Sequence, residues 1–176
     1  MFDETGNREK AVVYKKLAQE KSNLINQYLW NESTGLYHDV TPDGKQTSWK
    51  TVAAFWPLIA QVASPQQAEK LLNNIKDTAL FWRPLPLPSL AADEKQYDKN
   101  GRYWLGAVWA PTSYMVVKGL ESYGYTSVAT TIAEKFLNSM YQVYLSTGSI
   151  WETYSPEMFM PATNATGQYM CQKNFV

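Results

Sequence analysis

Between Arg8 and Trp30 the apolar residues Val12, Val13, Leu17, Leu24, Ile25, Tyr28 and Leu29 form one broad stripe at helical spacing, which predicts a first helix. The pattern breaks in "NESTGLYHDVTPDGKQTS". There Gly35 and the Pro42-Asp43-Gly44 turn flank a short alternating run from Leu36 to Val40, the signature of a small hairpin. Helical spacing returns in "WKTVAAFWPLIAQVA", with Pro57 placed to kink it. Ser64-Pro65 reads as an N-cap followed by proline at the first helical position, and "QQAEKLLNNIKDTAL" carries that helix onward.

"FWRPLPLPSLAADEKQYDKNGRYW" holds three prolines in five residues and predicts a long irregular loop. Loops of that length in a compact domain are usually functional or disordered, and the Trp, Phe and Leu content speaks against disorder. Two more helices are expected at Trp109 to Tyr123 and Thr126 to Leu145, separated at Gly124, which fits a helix C-cap. From Gly148 onward the pattern is mostly irregular. The expected fold is all-α, with short turns and long aromatic-rich loops alternating between helices. In an array of helical hairpins this gathers the long loops at one end, where they can build a pocket.

Composition narrows the classes. The 176 residues suit one domain, and 45% apolar with 18% charged content is ordinary for a globular chain. A formal charge of zero gives no general attraction to nucleic acid or to an acidic membrane surface. One cysteine, Cys171, excludes an intrachain disulfide framework and a cysteine-rich zinc site, and one histidine, His38, leaves no second in reserve for a His-based triad. No apolar run reaches membrane-spanning length, and the first residues do not read as a signal peptide. Seven Trp and 12 Tyr are unusual, and suit both a ring-rich core and a sugar-binding cleft.

Four stretches carry candidate chemistry. In "GSIWETYSPE", Glu152 lies between Trp151 and Tyr154. Such a carboxylate either caps a backbone or pairs with a lysine, or it handles protons on the floor of a sugar pocket, where partial desolvation tunes it. "GRYWLGAVWAPTSYM" places Tyr103, Trp104 and Trp109 within seven residues. An uninterrupted helix would set the two tryptophans on different faces, but Gly106 permits a bend that aims the rings together. Core packing at a helix entrance is the alternative. The loop carboxylates Asp93, Glu94 and Asp98 lack the spacing of a calcium loop and read as a solvated face. His38-Asp39 points to opposite faces of an extended strand, which favours structural roles. Asn31-Glu32-Ser33 and Asn164-Ala165-Thr166 match the glycosylation pattern, a weak signal. No metal-ligand spacing, phosphate-cradling loop or nucleophile elbow is present, so no metal or cofactor is expected.

"YWLGAVWAPTSYMVVKGLESYGY", followed by "IWETYSPE", resembles the C-terminal half of the glycoside hydrolase family 63 catalytic domain, whose relatives include mannosylglycerate hydrolases and trehalase-like enzymes of the same clan. "WNESTGLYHDV", "FWPLIAQVASPQQAEKLL" and "PLPLPSLAADEKQY" occur in the same order as in that family. The resemblance implies an (α/α)6 toroid, of which this chain would form about half to two thirds, and inverting hydrolysis without a metal. It matches Glu152 to the family's general base, and Tyr103, Trp104 and Trp109 to aromatic positions of the sugar subsite, with Trp151 and Tyr154, beside the base, expected to bind the sugar as well. Leu105 stands where the family usually has Arg, and Ala107 where it often has Pro.

The family's general acid is an upstream aspartate, and no matching motif occurs here. Residues 1–176 are therefore expected to form one incomplete toroid domain, cut at both ends and inactive alone. Its parent would be an O-glycosyl hydrolase of α-linked glucosides or mannosides. The expected partner is an oligosaccharide or small glycoside, with self-association through apolar faces the remaining helices would cover. The alternative is a non-catalytic helical carbohydrate-binding or interaction module.

Overall fold

The structure, a computed structural model, describes residues 6–164, 166–169 and 173. Cys171, and Ala165 of the second glycosylation pattern, lie outside the described residues.

Helix α1 runs Arg8–Tyr28, opened by Asn7, whose side chain accepts from the Lys10 amide. Its apolar stripe is present but largely uncovered. Ala11 is its buried residue, and Ile25 packs on the core, while Val12, Val13, Leu17 and Leu24 stay exposed. The hairpin follows: β1 (Trp30–Asn31) pairs antiparallel with β2 (Leu36–Tyr37), and Val40 bridges Gln46 beyond it.

The helix expected over 49–63 is much shorter. Thr51 is extended and bridges Leu90, so regular turns begin only at Val52, as a 3-10 turn (Val52–Phe55) leading into the one-turn α2 (Trp56–Ile59). Tertiary pairing with the proline-rich loop overrides the helical spacing there. Helix α3, Pro65–Lys76, starts on a full capping box: the Ser64 hydroxyl accepts from the Gln67 amide, and the Gln67 side chain accepts from the Ser64 amide. It ends earlier than expected because Asp77 turns extended and its carboxylate takes the Ala79 amide.

Helices α4 (Ala110–Ser122) and α5 (Thr126–Thr147) form an antiparallel hairpin around Gly124. Trp109 belongs not to α4 but to β3 (Val108–Trp109), which pairs antiparallel with β4 (Thr153–Tyr154). Phe55, Leu58, Leu71, Ile75, Val116 and Leu120 are fully buried together between α2, α3 and α4. At about 1.5–3 kcal/mol for each large side chain removed from water, this cluster is a dominant favourable contribution. Gly119 lets α4 approach α2: a Cβ there would meet the Leu58 Cβ at 2.7 Å and the Ile59 nitrogen at 2.8 Å.

The two ends of the helical array differ as the loop lengths predict. The short turns meet at one end, where the Tyr123 hydroxyl donates to the Ala63 carbonyl at 2.7 Å. The long loops meet at the other, where the Leu85 amide donates to Pro156 at 2.9 Å and the Thr163 amide to Asn100 at 3.0 Å. Tyr103, Trp104 and Trp109, which precede α4, and Trp151 and Tyr154, which follow α5, lie at this loop end.

Candidate active site

The site is built on the β3–β4 ladder, whose strands are only two residues long and are separated in sequence by residues 110–152. Val108 opposes Tyr154, and Trp109 opposes Thr153. Glu152, half-buried, immediately precedes Thr153, so its backbone lies beside Trp109 at the start of the ladder. Gly101 sits behind the ladder at φ +80°. A side chain there would press on Ala107, Ala162 and the Tyr154 carbonyl at 3.1–3.2 Å.

Three rings converge. Trp104 stacks on Trp109 with centroids 4.4 Å apart and planes 11° from parallel, and Tyr103 meets Trp109 edge-on at 5.1 Å. The bend that brings them together is a single 3-10 turn, Tyr103–Leu105, ended by Gly106 at φ +153°. Tyr103 itself occupies the left-handed region at φ +46°, where a residue with a large side chain is strained. The rings differ in access: Trp104 is 48% and Tyr103 43% exposed, but Trp109 only 8%. The indole Nε1–H of Trp109 meets no acceptor among the described residues.

Trp151 and Tyr154, expected at the sugar, are instead packed into the protein. Tyr154 is 1% exposed, its ring against Phe136 and its hydroxyl accepting from the Trp151 amide at 3.2 Å. The Trp151 indole donates to the Thr147 hydroxyl at 2.9 Å, and its ring leans on Tyr169. Both anchor the segment that carries Glu152.

Two features escaped the sequence reading. Glu157 accepts from Arg83 Nε at 2.6 Å and from the Tyr97 hydroxyl at 2.7 Å, tying the Glu152 segment to the proline-rich loop. Burial alone would raise the Glu157 carboxyl, but these two hydrogen bonds and the charges of Arg83 and Lys99 outweigh it, and hold it below the usual carboxylate range. Burial, then the Glu157 carboxylate, pushes the Tyr97 phenol far above its ordinary value. The second feature is Ser89, buried inside the Tyr103–Gly106 turn. A lone serine or glutamate in an irregular loop carries no periodic signal.

Other candidates fall into structural roles. His38 is buried, with one ring nitrogen on the Thr34 hydroxyl and the other on the Trp49 carbonyl. Asp93 and Glu94 face Lys50. An apolar groove of about 250 Å³ between α1 and α2, lined by Ile25, Leu29, Ala53, Trp56 and Ala60, contains none of the expected site residues. The exposed rings of Tyr103 and Trp104 are not among its lining residues, which do include His38 and Asp39. Among the described residues no group of three or more His, Cys, Asp or Glu could hold a metal ion, and no helix is long and apolar enough to cross a membrane.

The pattern of the mannosylglycerate hydrolase MGH1-like glycoside hydrolase domain matches residues 1–166. An uncharacterized protein of Borreliella burgdorferi is 27% identical over 166 residues, 92% of this chain and 35% of that protein. The family 63 mannosylglycerate hydrolase of Thermus thermophilus, solved with glucose, superposes with a TM-score of 0.67 at 26% identity, over 76% of this chain and 32% of its own. Neutral trehalase Nth1 of Saccharomyces cerevisiae shares the fold with a TM-score of 0.70 at 24% identity, over 82% of this chain and 27% of its own. The chain thus spans about a third of the length of these relatives.

Proposed function

The chain belongs to the mannosylglycerate hydrolase MGH1-like glycoside hydrolase family, and from that premise we propose that it carries the base half of an inverting glycosidase site. Inverting hydrolysis needs one carboxylic acid to protonate the leaving oxygen. A second carboxylate, ~6.5–9.5 Å away, activates water on the opposite face of the sugar. Glu152 is the base in this reading: its carboxylate takes a proton from water as the water oxygen attacks the anomeric carbon. The observation that supports it is that Glu152 directly precedes the β3–β4 ladder, whose Trp109 belongs to the same ring cluster as the exposed Tyr103 and Trp104.

The rings take separate duties. Trp104 and Tyr103, the exposed pair, present flat apolar faces to a sugar. Trp109 backs Trp104 and supports its exposed face. Trp151 and Tyr154 hold the Glu152 segment in place. The substrate class is an α-linked glucoside or mannoside, and the Thermus relative solved with glucose supports a hexose-sized ligand. The general acid belongs to a part of the toroid outside residues 1–176, so this chain alone binds sugar without appreciable turnover. The uncovered apolar positions of α1 support self-association.

The test is Glu152→Gln in an enzyme spanning the whole toroid, assayed on aryl α-glucosides and α-mannosides. Turnover falls by about 10²–10⁴-fold while sugar affinity is kept. Activity within a few-fold of the parent refutes the role.

A further inference from the structure

Ser89 lies in the proline-rich loop, far from Glu152 in sequence, and it is 3% exposed. Its main chain is held on both sides: its amide donates to the Ala107 carbonyl at 3.0 Å, and its carbonyl accepts from the Val52 amide at 3.1 Å, at the entrance to the 3-10 turn before α2. With the backbone so fixed, the hydroxyl has little freedom. It sits inside the Tyr103–Gly106 turn, donating to the Tyr103 carbonyl at 3.3 Å and accepting from the Gly106 amide at 3.1 Å.

That turn holds one of the strained backbone positions of the chain. Tyr103 at φ +46° is strained by roughly 1–3 kcal/mol, a state that persists only when its surroundings over-determine it. The Tyr103 carbonyl also accepts from the Ala107 amide at 3.1 Å, and Ser89 supplies the side-chain contact that spans both ends of the turn. Because Tyr103 and Trp104 ride on this turn, its geometry sets where their exposed faces lie relative to Trp109.

We propose that Ser89 is a positioning residue for the sugar shelf: its hydroxyl locks the strained turn and thereby holds the Trp104 face parallel to Trp109. This rests on the reading of the shelf as a sugar subsite. A merely packing serine would tolerate loss of its oxygen without moving the rings. A positioning serine would not, because without the bridge Tyr103 can relax toward an unstrained conformation and carry Trp104 with it.

The experiment labels the 176-residue chain with 5-fluorotryptophan and assigns the Trp104 and Trp109 fluorine resonances with Trp104→Phe and Trp109→Phe. Ser89→Ala is then compared with the parent, with and without methyl α-mannoside and methyl α-glucoside. The expected result is that Ser89→Ala shifts or broadens the Trp104 and Trp109 resonances and leaves those of Trp30 and Trp82 in place. Sugar affinity falls about 3- to 10-fold, the range of one hydrogen bond. Unmoved shelf resonances in a folded Ser89→Ala chain overturn the proposal. Should that variant fail to fold, Ser89→Cys, which keeps the volume and only a weak donor, is judged by the same resonances. If neither glycoside perturbs the parent chain, the sugar-subsite reading fails by itself, while the ligand-free resonances still decide the role of Ser89.

Discussion

Trp104 and Trp109 stack nearly parallel, 11° apart at 4.4 Å, although one is 48% exposed and the other 8%. The pair is therefore asymmetric: one ring is a surface and the other is its support. Substitution should separate the two. Trp104→Ala removes an exposed face and should weaken glycoside binding with a small change in melting temperature. Trp109→Ala opens a cavity against Ala107 and Ala162 and should cost about 3–5 kcal/mol. Thermal melts and glycoside titration of both variants distinguish them; equal destabilisation would refute the division of roles.

The contact of α2 with α4 predicts that Gly119→Ala destabilises the chain. In an open helix the change would gain about 1 kcal/mol of propensity. Here the new methyl would lie 2.7 Å from the Leu58 Cβ and 2.8 Å from a backbone nitrogen, so two buried helices must separate. Overpacking typically costs about 1–3 kcal/mol, enough to outweigh the propensity. A net loss of up to about 2 kcal/mol corresponds to a fall in Tm of up to roughly 4–8 °C at this size. A variant melting higher than the parent would show that the helices yield more easily than their packing implies.

Much of this was legible in the sequence, and the parts that were not share one physical cause. The Ser64 N-cap, the Gly124 turn and the small hairpin are encoded within a few residues of themselves, and each appears where its local signal stands. The convergence of Trp104 and Trp109 follows a bend that Gly106 permits, while core packing at a helix entrance was equally compatible with the sequence. What local signals could not give are pairings across the chain. Thr51 leaves its helical pattern because Leu90 recruits it, and a two-residue ladder between Val108–Trp109 and Thr153–Tyr154 is too short for alternation to register. The burial of Trp151 and Tyr154 follows from that ladder, and so did not show in a motif that reads as pocket lining.

Glu157 gives the protein an acid-sensitive tie between its two long loops. Its folded-state carboxyl is held below the usual range by Arg83 and Tyr97. A depressed carboxyl contributes stability above its unfolded value, about 4.3, and loses it as pH falls through the folded value. The parent chain should therefore be more stable than Glu157→Gln at neutral pH, by about 1.5–3 kcal/mol, the range of hydrogen bonds to a charged group. The gap should narrow as pH drops below about 4.3. Melting curves of both chains between neutral pH and the acid limit measure it; a gap that stays constant would mean the carboxylate's charge contributes nothing.

Gly106 and Gly44 both have positive φ, but they should respond differently to alanine, because only one is enclosed. At Gly44, φ +81°, a Cβ meets nothing within 4 Å, so the cost is backbone strain alone, about 1–2 kcal/mol. At Gly106 the Cβ would stand 2.5 Å from the Asp98 carbonyl oxygen and 3.3 Å from the Tyr97 ring. The turn that bears Tyr103 and Trp104 cannot absorb this, since the Gly106 amide is held by the Ser89 hydroxyl and Tyr97 by Glu157. Gly106→Ala should therefore disrupt the ring shelf as well as lower stability, abolishing the glycoside-dependent change in tryptophan emission that Gly44→Ala retains. Equal responses from the two variants would mean that the turn is softer than its contacts imply, and that the shelf does not depend on the conformation of residue 106.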